Sequence, residues 1–328
     1  MSSVIFLHEN ILHRFKKLLS NGRLAHAYLL AGPWGVGKFE TAFAVAKLVN
    51  CENFSSSELG FCDECPPCRK INTNGHPDVH ILESSRGETI KLEQIRDLIL
   101  QTQMRPFEAK KKVFIIRNSE NLTTEAGNAL LKTLEEPSAE SLILLTTSVP
   151  EKNLSTIKSR CHRIYIAPQP NGRLADYLVK DYAMQDSSAG FLASFAEGCL
   201  FRAEKLNEAD AVKQKNEAIN NFVFTRDSES YLKKVLASPE ETKQLLDVLL
   251  SWFRDLLMLK LGQSEARLVH QDRVHDLKSA AQKLNVNDIQ AVIDQVVTTT
   301  RLFNDKLNVK IALSLMKARF TERSERNG

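Results

Sequence analysis

The sequence predicts an α/β fold in its first half, with a parallel sheet covered by helices, and helices alone in its second half. Short apolar runs alternate with helical patterns up to about residue 166, and a glycine-rich turn follows the first of these runs. After Pro168 and Pro170, which suit a linker, only helical patterns remain. A length of 328 residues leaves room for roughly two to three domains.

The composition is that of a globular protein with a sizeable core, since 43% of the residues are hydrophobic and 26% are charged. A formal net charge of +4 permits contact with nucleic acid but does not indicate it. The chain has no run of roughly eighteen apolar residues, as a membrane span would need, and no signal-peptide pattern at its start. We therefore expect a cytoplasmic protein in a reducing compartment.

Each element of the first half is predicted by its own pattern, with apolar runs for strands and apolar residues three or four apart for helices. The sequence predicts, in order, a helix at 4–20, a strand at 27–31, a helix at 39–50, a strand at 78–83, a helix at 92–103, a strand at 113–116, a helix capped by Thr123 or Thr124 and stopped by Pro137, a strand at 142–146, a short helix at 151–159 and a strand at 163–166. The strand at 113–116 is wholly apolar, which places it inside a parallel sheet.

The second half divides into a small helical unit and a larger one. Residues 173–208 have helical patterns, and Pro239 suits the first position of a long helix that ends at Gly262. The apolar stripe of that helix is more often core than interface. The predicted domains are 1–168, with a cysteine module at 51–68 inserted, followed by 169–210 and 211–328.

Residues 32–39 fit the spacing of a phosphate-binding loop, G-x-x-x-x-G-K, between a strand and a helix. Backbone N–H groups at Gly32, Gly35 and Gly37 would cradle phosphates, and the N-terminus of the helix would add a favourable partial charge. Lys38 would reach the β- and γ-phosphates.

Both positions that hold magnesium in such loops are altered. Phe39 stands where a serine or threonine hydroxyl would bind the metal, and Thr41 faces elsewhere on the helix. Asn118 stands where an acidic residue is expected after the strand at 113–116, and Glu120 is too far along the chain. The residues therefore predict a loop that does not support hydrolysis. Binding of ATP or ADP without turnover and an empty structural loop remain equally open.

Four of the six cysteines have the spacing C-x10-C-x2-C-x2-C, namely Cys51, Cys62, Cys65 and Cys68. Four thiolates suit tetrahedral Zn²⁺ and leave no open position, so the predicted site is structural. The intervening Asp63, Glu64, Pro66 and Pro67 are expected to form compact turns. A redox pair or an iron–sulfur cluster fits this arrangement less well. Cys161 and Cys199 are expected to be ordinary residues.

Several motifs together resemble one family, the bacterial clamp-loader subunits of DNA polymerase III in the AAA+ class. The motifs are Gly22 to Leu30, the cysteine module after the first helix, His76-Pro77-Asp78, Asn128 to Pro137 and Ser159-Arg160-Cys161. The resemblance is dense over residues 5–166 and fainter at 198–203 and 308–313. It implies an AAA+ domain at 1–168, a helical lid at 169–210 and a helical collar at 211–328 that joins subunits in a ring.

Two branches of this family differ at the ATP site. The gamma or tau motor branch has an intact phosphate loop, whereas the delta-prime branch has a degraded site and keeps Ser-Arg-Cys. Phe39 and Asn118 resemble the delta-prime branch, and an active gamma/tau-like ATPase is the alternative. A third interpretation, direct DNA binding by the cysteine module, is disfavoured because residues 51–68 carry several acids and no basic cluster.

The resemblance also implies roles for particular residues and partners. Arg160 matches an arginine finger that reaches the ATP of a neighbouring motor subunit, and its alternative is a pair with a carboxylate at a domain edge. Thr147 or Ser148 and, more weakly, Arg202 match sensor positions. The implied partners are gamma/tau motor subunits and a delta subunit in a hetero-pentamer, with the sliding clamp and primed DNA. The chain would have no independent ATPase but would act within a DNA-directed DNA polymerase complex.

Overall fold

The computed structural model describes residues 2–84, 88–225, 229–305, 307 and 309–317. Asn308, which begins the fainter C-terminal motif, lies outside these residues. The chain forms two compact units, one of residues up to 169 together with 199–202, and one of residues 170–198 together with those from 203 onward. The lid at 169–210 and the collar at 211–328 stay predictions.

The first unit is an α/β unit whose elements alternate along the chain. Its elements are helix α1 (Ser2–Ser20), strand β1 (Ala27–Ala31), helices α2 (Lys38–Asn50) and α3 (Pro66–Asn72), strand β2 (Val79–Leu82), helix α4 (Leu92–Gln103), strand β3 (Lys112–Ile116), a 3₁₀ turn (Ser119–Asn121), helix α5 (Thr124–Glu135), strand β4 (Ser141–Thr147), a 3₁₀ turn (Pro150–Lys152), helix α6 (Ser155–Arg160) and strand β5 (His162–Tyr165).

The five strands form one parallel sheet in the order β2-β3-β4-β1-β5. Strands β1, β3 and β4 are buried along their whole length, as expected for a sheet covered on both faces. Because the strands are parallel, the carboxyl ends of β1, β3 and β4 meet at one edge, where ligands bind in open α/β sheets. That edge holds Gly32, Arg117 and Ser148, the residues that directly follow these strands.

Apolar helix faces cover both sides of the sheet. On one side, Leu12 and Phe15 of α1 pack with Val45 and Leu48 of α2 against the sheet. On the other side, buried residues of α4, α5 and α6 pack against Leu29, Phe114 and Ile143, among others. The α/β fold class predicted for this half of the chain is therefore confirmed.

Local packing corrects two predicted elements. Pro66 and Pro67 do not lie in a turn but begin α3, since proline is tolerated in the first turn of a helix. The single helix predicted at 151–159 is a 3₁₀ turn and the separate helix α6. The chain is extended at Asn153, whose buried side chain donates to Thr147 Oγ1 at 2.9 Å and accepts from Ser119 Oγ at 2.8 Å.

The second unit is helical over the residues described in it. It contains most of α9 (Leu200–Glu208) and the helices α7 (Asn171–Tyr182), α8 (Asp186–Phe195), α10 (Ala211–Ala218), a π-helix (Ile219–Phe224), α11 (Glu229–Leu236), α12 (Pro239–Lys260), α13 (Val274–Lys283), α14 (Val286–Asn304) and a last helix at 310–317. The apolar stripe of α12 lies in the core, where Leu249, Trp252 and Phe253 are fully buried. None of the described helices is long and apolar enough to cross a membrane.

Asp78 of the His-Pro-Asp motif ties the loop before β3 to the start of β2. Its fully buried carboxylate accepts hydrogen bonds from the backbone N–H groups of Phe107, Glu108 and Ala109 at 2.8 to 2.9 Å. Burial alone would raise the pKa of Asp78, but these three donors and nearby Lys112 hold it below its ordinary value. The motif therefore has a structural role in this fold.

We expect Asp78→Ala to lower the free energy of unfolding by about 2–4 kcal/mol, because three backbone N–H groups lose a buried, charged acceptor. Since the folded pKa is depressed, this contribution is present above pH about 4 and is lost as the pH falls below it. Urea unfolding at pH 7 and at pH 3 measures both effects. Asp97→Ala, at an exposed position of α4, is the control, and an equal loss in both variants would contradict the assignment.

Candidate functional sites: phosphate loop, thiolate cluster and arginine

The phosphate loop leaves β1 at Gly32 and enters α2 at Lys38. Gly35 and Gly37 have φ angles of 79° and 95°, a region that side chains disfavour. A Cβ at Gly35 would lie 2.8 Å from the backbone nitrogen of Arg202, and one at Gly32 would lie 2.4 Å from the backbone oxygen of Ile166. The glycines thus fit both the turn and the close approach of neighbouring backbone.

Two contacts hold the loop backbone in place. The Nε2 of buried His8 donates to the carbonyl oxygen of Val36 at 2.7 Å. The backbone N–H of Phe201 donates to the carbonyl oxygen of Gly35 at 3.0 Å. Burial lowers the pKa of His8 to about 4, so the imidazole is neutral at physiological pH. The loop is therefore fixed by α1 on one side and by residues 199–202 on the other.

The ammonium group of Lys38 is bound by the protein itself. Its Nζ donates to the carbonyl oxygens of Gly32 at 2.9 Å and Pro33 at 2.8 Å, and to Ser148 Oγ at 2.9 Å. An ammonium has three N–H donors, so these contacts use its full capacity. Burial lowers the pKa of Lys38 to about 8. In this conformation the lysine is folded back on its own loop.

Glu120 takes part in the same network, a role that the sequence analysis missed. Its Oε1 accepts from the backbone N–H of Ser148 at 3.0 Å, and its negative charge raises the pKa of Lys38 against the effect of burial. Its Oε2 is buried and has no hydrogen-bond partner within the described part of the chain. Glu120 therefore supplies the loop lysine with a negative charge from inside the subunit, where a phosphate would otherwise do so.

Neither of the two altered positions carries its usual magnesium ligand, a loop hydroxyl or a strand-end carboxylate. The ring of Phe39 lies 4.6 Å from the guanidinium carbon of Arg117, a cation–π contact. The buried hydroxyl of Thr41 donates to the carbonyl oxygen of Gly37 at 2.7 Å and so faces into the helix. Asn118 has a φ of 54°, and its backbone N–H donates to Thr146 Oγ1. These positions offer no carboxylate or free hydroxyl to a magnesium ion.

The cleft in front of the loop is small. Its volume is about 120 Å³, below the roughly 300–1,000 Å³ of most ligand pockets. Its walls include Trp34, Lys38, Phe39, Asn118 and Ser148. Of the two sensor candidates at the end of β4, Ser148 accepts a hydrogen bond from Lys38, whereas the hydroxyl of buried Thr147 accepts from Asn153 and from the N–H of Val149. Nucleotide binding at this loop would require Lys38 to leave some of its present acceptors.

The sulfur atoms of Cys51, Cys62, Cys65 and Cys68 all lie within 4.8 Å of one another. The Sγ of Cys51 is 3.7 Å from that of Cys62 and 3.9 Å from that of Cys65. Zinc–sulfur bonds of about 2.3 Å in a tetrahedron place two sulfurs about 3.8 Å apart, so the cluster has the dimensions of a zinc site. The four cysteines can hold a zinc ion, and four protein ligands make such a site structural.

Two donors of the protein lie close to the sulfur atom of Cys62. The N–H of Cys65 lies 3.3 Å and the side-chain amide of Asn53 3.4 Å from the Sγ of Cys62. Burial alone would raise the pKa of the Cys62 thiol, but these donors and the N–H of Glu64 lower it to about 6. Burial raises the pKa of Cys161, outside the cluster, to about 12, as expected of an ordinary buried cysteine.

The cysteine module is anchored to the rest of the first unit by polar contacts. Asp63 forms a 2.6 Å ion pair with Lys47 of α2 and accepts from Asn72 at 3.1 Å. Lys110 donates to the carbonyl oxygen of Cys51 at 2.6 Å. Because Cys51, Cys65 and Cys68 are also buried in the core beside α2, the module is part of the α/β unit rather than an appendage.

Arg160 is the last residue of α6, and its guanidinium meets Glu135, the last residue of α5. Its Nε donates to Glu135 Oε1 at 2.7 Å and its Nη2 donates to the same oxygen. Its Nη1 donates to the carbonyl oxygen of Thr156 at 3.0 Å. The side chain of Arg160 is 32% exposed, so the pair lies at the surface of this unit.

Comparison with known proteins identifies the family. A family model described as "DNA polymerase III, delta subunit" matches residues 7–170, and one described as "DNA polymerase III, delta subunit, C terminal" matches residues 209–318. The delta' subunit of Bacillus subtilis is 29% identical over 90% of this chain and 92% of its own. The delta' subunit of Pseudomonas aeruginosa is 30% identical over 82% of this chain and 81% of its own.

More distant proteins also match. The tau subunit of Escherichia coli DNA polymerase III is 33% identical over 71% of this chain, which spans 37% of that longer protein. A solved gamma-subunit-related protein of Thermotoga maritima is 19% identical, with a TM-score of 0.43 over 95% of this chain and 99% of that one.

These family matches fall on a chain that combines a five-stranded parallel sheet, a phosphate loop and a helical C-terminal region. The chain belongs to the clamp-loader subunits of DNA polymerase III, and within them it is related to the delta' subunits. The family resemblance that the motifs indicate is thereby confirmed.

We expect the purified protein to carry one zinc ion per chain and Cys62→Ser to lose it, because the four thiolates form a single ligand set. Loss of the metal should lower the melting temperature by about 10 °C or more. Elemental analysis and thermal unfolding measure both effects. Cys161→Ser, which removes a buried thiol outside the cluster, should keep the zinc; full zinc content in Cys62→Ser would contradict this assignment.

We expect Glu120→Gln to raise the affinity of the isolated chain for ATP about tenfold, because the loss of one negative charge beside Lys38 removes repulsion of phosphate. The fluorescence of Trp34, which lines the cleft, or calorimetry measures the affinity. Glu125→Gln, at an exposed position of α5, is the control. Equal affinities in the three proteins would show that Glu120 does not act on the loop.

Proposed function

We propose that this chain is a delta'-type clamp-loader subunit that does not hydrolyse ATP and supplies Arg160 to the ATP site of a neighbouring motor subunit. The main support for this proposal is the contrast between the phosphate loop and Arg160. The phosphate loop has lost its magnesium ligands, whereas Arg160 is positioned at the surface of the same unit. The chain would thus contribute to catalysis in a neighbour and not in itself.

The absence of hydrolysis follows from the chemistry of phosphoryl transfer. Magnesium neutralises charge that develops on the phosphates, and its usual protein ligands are a hydroxyl on the loop and an acid at a strand end. Phe39 has no ligand atom, Asn118 offers at most a neutral amide in place of a carboxylate, and Lys38 is already bound by Gly32, Pro33 and Ser148. ATP or ADP bound at Gly32, Gly35, Gly37 and Lys38 would therefore remain uncleaved.

The role of Arg160 rests on its charge, its exposure and the Ser-Arg-Cys motif. An arginine supplied in trans stabilises the transition-state charge of phosphoryl transfer and is worth about 10³–10⁵ in rate. Arg160 ends a helix whose other side is anchored by buried Ile157, so its Cα position is firm while its guanidinium reaches the surface. A surface arginine on a rigid helix suits this task.

The partners follow from the family. Relatives of this chain are delta' and tau subunits of DNA polymerase III. We place the chain in a hetero-pentamer with gamma or tau motor subunits and a delta subunit, joined through a collar at 211–328. This assembly would load the sliding clamp onto primed DNA during replication. The zinc module would stabilise the α/β domain and take no part in the chemistry.

We expect Arg160→Ala to reduce ATP turnover at the neighbouring site by about 10³-fold or more, because the transition-state charge loses its cationic partner. DNA-stimulated turnover is measured in a complex reconstituted with delta and motor subunits whose own Ser-Arg-Cys arginines are replaced by alanine. In that complex, only the ATP site next to this chain still receives an arginine from a neighbouring subunit.

Two controls accompany this measurement. Arg163→Ala removes an exposed arginine three residues along the chain and should leave turnover unchanged. Gel filtration of each complex shows whether the assembly is intact. Unchanged turnover in Arg160→Ala would reject the arginine in trans, and ATPase activity of the isolated chain would favour an active gamma/tau-like subunit instead.

A further inference from the structure

The guanidinium of Arg160 is held in one orientation by its own subunit. Glu135 Oε1 accepts from both Nε and Nη2, while Nη1 donates to Thr156 O at 3.0 Å and lies 3.4 Å from Ser159 Oγ. A guanidinium has five N–H donors, so one N–H of Nη2 is left for another acceptor. Arg160 and Glu135 are 32% and 49% exposed, and the pair therefore presents its outer edge to solvent.

Stability does not explain this arrangement. Ion pairs at such exposed positions contribute little to the free energy of unfolding. An unrestrained arginine, in contrast, has considerable rotamer entropy that it loses when it is fixed on a ligand. The contact with Glu135 removes much of that freedom in advance, so its main physical effect is on orientation.

Both partners are set on rigid elements. Glu135 ends α5 and Arg160 ends α6, and these two helices pack against each other in the core through Leu130, Leu134 and Ile157. The distance between the two side chains is therefore fixed by the packing of the helices and not by a flexible loop. Sites built on packed helices hold functional groups more closely than sites on loops.

We propose that Glu135 is a positioning residue for the reaction in trans: it holds the guanidinium plane of Arg160 so that the remaining N–H of Nη2 faces the phosphate of the neighbouring subunit. This inference rests on the proposed function of Arg160. Glu135 touches neither ATP nor the reacting atoms, and it acts through Arg160 alone. The turnover rate should then depend on whether residue 135 has a side-chain oxygen that accepts from Nε and Nη2, and less on whether that residue is charged.

The test uses the reconstituted complex with motor subunits that lack their own arginines in trans. We expect Glu135→Ala to lower the turnover rate roughly ten- to a hundredfold with the KM for ATP unchanged, because misplacement of a catalytic group acts on the chemical step. Glu135→Gln keeps an oxygen that can accept from Arg160 and should retain most of the rate. Glu136→Ala, at the adjacent exposed position, should behave as the parent protein.

A double variant separates positioning from general damage. If Glu135 acts only through Arg160, then Glu135→Ala combined with Arg160→Ala should be no slower than Arg160→Ala alone. Parent-like turnover in Glu135→Ala, beside a large loss in Arg160→Ala, would overturn the role of Glu135 and leave the proposed function intact. Faster turnover in Glu135→Ala or Glu135→Gln would show that the carboxylate sequesters the arginine, which also overturns it. No loss in Arg160→Ala would reject the proposed function itself.

Discussion

A buried ammonium group must find its hydrogen-bond acceptors inside the protein. Lys38 is buried, and its need for acceptors determines the conformation of the phosphate loop. The carbonyl oxygens of Gly32 and Pro33 turn inward to meet it, and Ser148 joins it to the end of β4. Glu120 adds a negative charge through its bond to Ser148. The loop thus satisfies internally the cation that phosphate satisfies in an active nucleotide site.

The rest of the first unit forms a rigid support at whose surface Arg160 lies. The cysteine cluster joins the segment after α2 to the core, and Asp78 binds the backbone before β3 to the start of β2. Because α6 packs on α5 over this sheet, the positions of Arg160 and Glu135 depend on the same core. Under the function proposed above, this accuracy matters even though the subunit does not hydrolyse ATP, because Arg160 would have to meet a transition state in another chain.

Much of this fold was accessible from local patterns. Apolar runs predicted all five strands within about two residues. The signal is strongest for β1, β3 and β4, because a strand buried on both faces leaves little choice of side chain. The patterns failed where side chains far apart in sequence decide the backbone. Asn153 interrupts the helix predicted at 151–159 because it bonds to Ser119 and Thr147. Likewise, Pro66 begins a helix and not a turn, although the sequence permits both.

At the functional sites, the sequence by itself determined which chemical groups are present. The cysteine spacing defined a four-thiolate set, and Phe39 and Asn118 excluded the usual magnesium ligands, because these properties belong to residue types. Only the tertiary structure decided which groups meet. Glu120 reaches the network of Lys38 through Ser148, 28 residues away, and Glu135 meets Arg160 across 25 residues. Such pairings arise from the packing of β3 beside β4 and of α5 beside α6, and no local pattern records them.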